Sequence, residues 1–430
     1  MSDETYPKVL IVSHNALSTV NNNGKTLNTL FYGWPCERIA QIYFYPEIPV
    51  TENCETFYRI TDTDLIKSML LRTGHCGGPI SRNSQHEDTH YSSVARQFYK
   101  SIARYKNDFF IVARDAVWKC GKWDTPAFRA WLKAFGPDAI FFVGSESQFS
   151  YDLVFWICQF LNVPLFTYFT DDYISSKFDL NPFFWTKLIG IRRRFRKAIN
   201  LSRQSFVIGE EMAEEYAAKF GGNFQILTNT IEHHPLPVVE KSDTDLIKLV
   251  YVGNLGLERW QTLSHIGRCL AQLDALGLNG ELLIYAHAAP QGRILDSLTL
   301  PPFMRFCGSL DTEGVNQVLT EADIVVHVES FSRKTRYITR LSVSAKIPEY
   351  LAYGKCILAY GPADIASIRY LKKYDAAVVS TCREELYNNL KTLLSCNDVR
   401  SAYRVNASNL AITKHARVDM KKMLNERLIP

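Results

Sequence analysis

Between residues 329 and 361 the chain reads ESFSRKTRYITRLSVSAKIPEYLAYGKCILAYG. Arg333, Lys334, Arg336, Arg340 and Lys346 follow an apolar run there, and Glu349 comes soon after Lys346. Ser344 fits a helix N-cap and Gly354 a helix end, which predicts a short helix between them. Cations together with a helix start suit a diphosphate. A carboxylate one turn into that helix can accept hydrogen bonds from ribose hydroxyls. The plainer alternative is a solvated basic loop ahead of a surface helix. Upstream, Gly253-Asn254-Leu255-Gly256 closes another apolar run, and Arg259 lies close enough behind it to reach a diphosphate. The spacing is not G-x-G-x-x-G, so a dinucleotide fingerprint is missing, and with it the main argument for a dehydrogenase.

The first half offers three further groups. Residues 21–26, NNNGKT, resemble the end of a P-loop, but the position five before Gly24 is Thr19 where that loop needs glycine. Because the segment follows the first strand and opens a helix, Gly24 and Lys25 can still hold a phosphate or a sugar; an ordinary strand-to-helix turn is the alternative. Asp171 and Asp172 end the apolar run PLFTYFT. They can act as an acceptor base, bind sugar hydroxyls, or cap the next turn. His86 and His90 fit H-E-x-x-H, a zinc pattern when it lies on an apolar-faced helix. Here it follows SRNSQ, with no third ligand in view, and a solvated loop is expected instead.

These residues need a scaffold, and the hydrophobic pattern supplies one. Apolar runs without alternation, at Val9–Ser13, 39–45, Ala139–Val143, Leu165–Phe169 and 205–208, are separated by helical patterns such as 91–106, 126–135 and 151–161. That is the signature of a parallel sheet covered on both faces. The pattern breaks at TNTIEHHPLPVVEKSDTDL (228–246), the best linker, and restarts with strands at Ile247–Val252, 281–285, 305–307, 323–328, 356–359 and 376–379. A terminal helix is predicted over 399–426, and 72–93 is predicted as a surface loop. Doubly wound sheets bind ligands at the carboxyl ends of their strands. Two such sheets facing each other would make a cleft between them.

Composition narrows the class. The 430 residues carry 49 basic and 44 acidic side chains, a formal charge of +5 that is too mild for a protein coating nucleic acid. The ten cysteines include no CxxC and several lie in apolar runs, as expected of reduced core thiols in a cytosolic protein. The start, MSDETYPKVLIVSH, has no basic region and no signal cleavage site, and no run of ~20 apolar residues follows anywhere. A cytoplasmic chain is expected. The segment 183–200, FFWTKLIGIRRRFRKAIN, combines aromatic and basic residues as interfacial helices do. Peripheral attachment to an anionic membrane surface, on the inner face of the plasma membrane, is therefore a further expectation.

The second half resembles the nucleotide-sugar domain of GT-B glycosyltransferases, especially the large retaining group that assembles bacterial surface glycans. The likeness is carried by LVYVGNLG (249–256), MRFCGSLDTEGVNQVLTEADIVVHVES (304–330), SAKIPEYLAYGKCILAY (344–360) and the terminal helix. KVLIVSH and FVIGEEMAEEYAAKFG (206–221) extend it to the first half, leaving out about 60–130. The resemblance implies two Rossmann-like α/β domains facing a cleft: 1–232, with an insertion about 60–130; 245–398; and a helix at 399–430 crossing back. It implies transfer of a sugar from a nucleoside diphosphate sugar to a glycan or lipid-linked acceptor, with no metal and no cofactor. Gly253, Asn254, Arg259, Arg340, Ser344, Lys346 and Glu349 would hold the donor, Glu349 at the family's ribose-binding glutamate. His14, Asp171 and Asp172 would serve catalysis, with Gly24 and Lys25 on the acceptor or phosphate side. The family's second glutamate, eight residues earlier, is Leu341 here, and its first-half His-Asp pair is replaced by Thr170-Asp171-Asp172. Retention and inversion both stay open. Rival classes are a GT-B-shaped sugar-nucleotide epimerase, a zinc hydrolase using His86 and His90, and a non-catalytic glycan-binding module.

Overall fold

A computed structural model describes residues 6–19, 22–71, 75–80, 108–175, 179–231 and 246–429. The chain divides into two compact units: Met1–Asn229 with Val418–Pro430, and Thr230–Arg417. The predicted helix at 91–106, the H-E-x-x-H residues His86 and His90, and most of the linker lie outside the described residues.

The first unit is built on an eight-stranded sheet in the order β4-β3-β2-β1-β5-β6-β7-β8. In chain order these are β1 Val9–Ser13, β2 Ile39–Tyr43, β3 Thr56–Arg59, β4 Gly78–Ile80, β5 Ala139–Val143, β6 Leu165–Phe169, β7 Ser202–Val207 and β8 Phe224–Ile226. All neighbours pair in parallel except β3 and β4. Every residue of β1, β2, β5 and β6 is buried, which is why these strands read as mainly apolar runs, with Ser13, Gln41 and Thr167 the buried polar exceptions. Part of the 72–93 stretch, predicted as a loop, is the edge strand β4. Its Pro79 lacks an N–H, which an edge strand tolerates. The helix Pro126–Phe135 shows how local signals fix the ends. Thr125 Oγ1 accepts from the Phe128 amide at 3.2 Å, Pro126 opens the first turn, and Gly136 turns left-handed at φ +57°.

The second unit carries a six-stranded parallel sheet in the order β11-β10-β9-β12-β13-β14. Its strands are β9 Ile247–Val252, β10 Gly280–Tyr285, β11 Met304–Gly308, β12 Ile324–Val328, β13 Cys356–Tyr360 and β14 Val378–Ser380. Counted within the unit, the order is 3-2-1-4-5-6, the doubly wound dinucleotide-fold order. Leu249, Ile324, Val326 and Val328 enter one apolar core, and Val250, Val325 and Ile357 enter another. The sheet is thus buried on both faces.

Where the sequence predicts one terminal helix, the structure has two, Asn397–His415 and Arg417–Leu428. Ala416 between them is extended and bridges to Ile231, and Ile231 N donates to His415 O at 3.1 Å. After that break the chain rejoins the first unit, where Lys421 Nζ donates to Gly33 O at 3.0 Å.

Candidate functional site

In a doubly wound sheet, ligands bind outside the carboxyl ends of the strands where the strand order reverses. In the second unit that point lies between β9 and β12. The turn after β9 is tightly organised. Gly253 N donates to Tyr285 O at 2.9 Å, and a Cβ at Gly253 would come within 2.4 Å of the Tyr251 hydroxyl, so only glycine fits without moving that ring. Tyr251 Oη donates to Asn254 O at 2.8 Å, and Asn254 Oδ1 accepts from Gly256 N at 2.7 Å, an Asx-type turn. Leu257 and Glu258 then take φ of +56° and +59°, and the helix Arg259–Asp274 begins. Two consecutive left-handed residues without a glycine are costly, and such strain collects at functional sites.

Arg259 points back to Glu329, the residue after β12. Its Nη2 lies 3.1 and 3.3 Å from the two carboxylate oxygens. Burial raises the carboxyl's pKa, against the opposing pull of Arg259. His327, inside β12, shares Ser367 Oγ at 3.1 Å and lies 3.6 Å from Glu329 Oε1. Desolvation, followed by the charges of Arg259 and Lys346, lowers the imidazole to about 3 and keeps it neutral. Neither Glu329 nor His327 stands out as a site residue in the sequence. Their one signal is a pair of polar residues closing an otherwise apolar strand, IVVHVES.

Lys346 and Glu349 sit on the helix Lys346–Ala352. Lys346 Nζ donates to Val252 O at the end of β9, and Tyr350 Oη reaches the same carbonyl at 3.1 Å. Lys346 is therefore fastened to the β9 terminus. Ala345, not Ser344, is the residue before the helix; Ser344 Oγ instead accepts from Lys346 N at 3.4 Å. Glu349 is half-buried between the buried Pro348 and Tyr350. Gly354 closes the helix at φ +55°. Arg340 follows the helix Arg333–Thr339, and its carbonyl accepts from Ala366 N at 2.8 Å. Arg336 pairs with Asp364 at 2.7 Å, while Arg333 and Lys334 are exposed. Gly253, Asn254, Arg259 and Lys346 thus meet at the end of β9. Leu341, where the family's other glutamate would stand, is buried.

In the first unit the strand order reverses between β1 and β5. His14 follows β1, and its carbonyl accepts from the amides of Phe44 at 3.1 Å and Tyr45 at 3.0 Å. Desolvation, then the charge of Arg114, lowers its imidazole to about 3. Arg114 itself pairs with Asp62 at 2.9 Å. Both come from the stretch that the family likeness leaves out. Asp171 accepts from Thr170 Oγ1 at 3.3 Å and Tyr173 Oη at 3.2 Å, beyond the end of β6. Asp172 Oδ1 accepts from Ile174 N at 3.3 Å, Ser175 N at 3.1 Å and Tyr216 Oη at 3.1 Å, so it organises its own turn. Gly24 is buried on the backbone of Ala16 and Ser18, and Lys25 beside it is exposed. Among the described residues no three His, Cys, Asp or Glu side chains group as metal ligands would.

By fold the class is defined: the chain has the GT-B fold, with two Rossmann-like α/β units. No protein-family profile matches the sequence, and no curated protein does. Solved structures do match. HepE of Anabaena, solved with UDP, is similar over 98% of this chain and 99% of its own, with a TM-score of 0.61 at 13% identity. Sucrose-phosphate synthase of Thermosynechococcus elongatus is similar over 97% of each chain, with a TM-score of 0.59 at 12% identity. WaaG, a glycosyltransferase involved in lipopolysaccharide biosynthesis, is similar over 98% of this chain and 99% of its own, with a TM-score of 0.55 at 12% identity. These neighbours are GT-B glycosyltransferases, and what they share with this chain is the fold.

Proposed function

We propose that the chain is a glycosyltransferase, moving a sugar from a nucleoside diphosphate sugar to a glycan or lipid-linked acceptor in bacterial polysaccharide biosynthesis, such as that of capsule or O-antigen. The observation that carries this is the β9 terminus, where a glycine turn, Arg259 and the Lys346–Glu349 helix meet at the reversal of the strand order. Glu349 accepts the ribose hydroxyls. Arg259, Arg340 and the amides after Gly253 neutralise the departing diphosphate, with Lys346 holding the β9 end in place and adding its charge. Asn254 shapes the turn and Ser344 the entry to the helix. On the acceptor side, Asp171 or Asp172 orients or deprotonates a hydroxyl; each already uses one carboxylate oxygen, Asp171 for Thr170 and Tyr173 and Asp172 for its turn and Tyr216. His14 stays neutral above about pH 3 and so offers a hydrogen bond rather than a charge. Gly24 and Lys25 flank this acceptor side.

HepE structures hold UDP and UDP-glucose, which makes UDP-sugars the first probes. Thermal shift across a panel of nucleotide sugars is the test: a ligand at 100 times its Kd should stabilise by about 2.7 kcal/mol. A protein that no nucleotide sugar stabilises, and that releases no nucleoside diphosphate with any acceptor, is not this enzyme. Turnover is expected to survive EDTA, since basic groups do the neutralising. Activity lost in chelator and restored by one divalent metal would overturn that.

The same proposal includes a membrane-facing surface. Among the described residues no helix is long and apolar enough to cross a membrane. The helix Pro182–Leu201 leaves Phe183 39%, Trp185 38% and Ile189 49% exposed. Phe109, also exposed, packs on Phe183 with ring centroids 5.0 Å apart. Of the basic run, Arg192 donates to Ile174 O and Arg194 pairs with Asp152, but Arg193, Arg196 and Lys197 are exposed. Each cation near an anionic surface contributes ~1 kcal/mol, so these three should favour anionic over neutral vesicles by about 100-fold. Flotation tests this: equal binding to both vesicles, or to neither, counts against it.

A further inference from the structure

We propose that Glu329 is a positioning residue for the diphosphate site: it grips Arg259 by one nitrogen and leaves the rest of the guanidinium facing the ligand. The inference rests on the nucleotide-sugar site proposed above, and goes beyond it by assigning a role to a residue that touches no ligand. Both carboxylate oxygens lie within 3.3 Å of the same nitrogen, Nη2. Among the described residues Nε and Nη1 have no protein acceptor. The arginine side chain is 20% exposed against 4% for the glutamate. One member of the pair is sealed in and the other reaches the surface.

Glu329 is also unable to follow Arg259 outward. Its N–H donates to Tyr360 O at 3.0 Å, and its carbonyl accepts from Thr262 Oγ1 at 3.0 Å, on the helix that Arg259 begins. Ser367 Oγ lies 3.5 Å from its Oε1. Behind it, a Cβ on Gly361 would approach the Glu329 Cβ to 2.9 Å. The carboxylate is therefore a fixed point, and the left-handed Leu257 and Glu258 aim Arg259 at it. Stability alone does not account for the arrangement, because a buried ion pair is often no better than well-packed apolar residues. What the pair provides is an arginine held in one orientation, which a fork-shaped anion site requires.

The test is calorimetric titration of UDP, GDP and ADP, carrying the tightest binder forward beside its own nucleoside. Glu329→Gln keeps the shape but not the charge. It is expected to weaken the diphosphate about 10-fold, leave the nucleoside unchanged, and add nothing in an Arg259→Ala background. Unchanged diphosphate affinity, an equal loss for the nucleoside, or an additive loss in the double variant would overturn the proposal. Should Glu329→Gln fail to fold, Arg259→Lys keeps the charge but not the fork. The same selective loss is expected, and wild-type affinity in that variant would overturn the proposal too. A wild-type protein that binds none of the three nucleotides shows instead that the second unit is no nucleotide site, and the role of Glu329 falls with it.

Discussion

Glu349→Ala is expected to bind a nucleoside diphosphate about 10–100-fold more weakly than the wild type while melting close to it. Glu349 lies in the first turn of the helix Lys346–Ala352, half-buried, with Ile347, Pro348, Tyr350 and Leu351 buried around it. At that place its carboxylate can accept charge-assisted hydrogen bonds from a ligand. Ribose hydroxyls suit it, because an ionised carboxylate accepts from both at once. Hydrogen bonds to charged groups contribute roughly 1.5–3 kcal/mol, which sets the size of the loss. The competing role is local: an acidic residue in the first turn favours its own helix by about 0.3–1 kcal/mol. That smaller effect would lower the melting temperature slightly and leave affinity alone. Calorimetric titration of the nucleotide into both proteins separates the two. A folded variant with unchanged affinity would remove Glu349 from the donor site.

The parts of this molecule legible in the sequence are those set by local pattern. β9 and β12 are mainly apolar, with Lys248 and His327 the polar exceptions, because both faces of the sheet are buried, and the turn at Gly253 follows from the glycine itself. The pairing of Arg259 with Glu329 was not legible. The two residues are 70 positions apart, and only the adjacency of β9 and β12 brings them together. The same holds for Lys346, whose bond to Val252 O spans 94 positions. Short elements also escaped. β3, β4 and β8 have three or four residues and are only partly buried, so they leave no long apolar run. The break at Ala416 carries no glycine or proline, since a backbone bridge to Ile231 makes it. Ser344 shows the reverse error. Its type fits an N-cap, but the chain enters the helix one residue later, because the packing of the folded chain and not residue type alone decides such boundaries.

Gly24→Ala is expected to destabilise the first unit by about 2 kcal/mol, with donor affinity unchanged. Gly24 lies in the first helix, Asn22–Leu30, and in an open helix this substitution would help, because alanine exceeds glycine in helix propensity by about 1 kcal/mol. Here the added Cβ would stand 2.3 Å from Ala16 O, 2.9 Å from Ser18 Cβ and 3.0 Å from Ser18 N. Two of those three atoms are backbone, and the loop that carries them is tied down. Ala16 N donates to Glu47 Oε1 at 2.7 Å, Leu17 N to Gln41 Oε1 at 2.9 Å, and Val50 N to Leu17 O at 3.1 Å. Overpacking of this kind costs about 1–3 kcal/mol and occasionally more, so the clash outweighs the propensity gain. Lys25→Ala, at an exposed position, is expected to stay within about 0.5 kcal/mol of wild type and serves as the control. Urea denaturation followed by a first-unit fluorescence probe measures both. The phosphate-holding role predicted for Gly24 from its sequence context makes the opposite demand: the variant would keep its stability and lose acceptor binding. A loss of stability with acceptor binding intact in the folded fraction would mean that Gly24 seats the first helix against the loop after β1. Unchanged denaturation would mean that the loop gives way, and the close approach would then explain nothing about why glycine stands there.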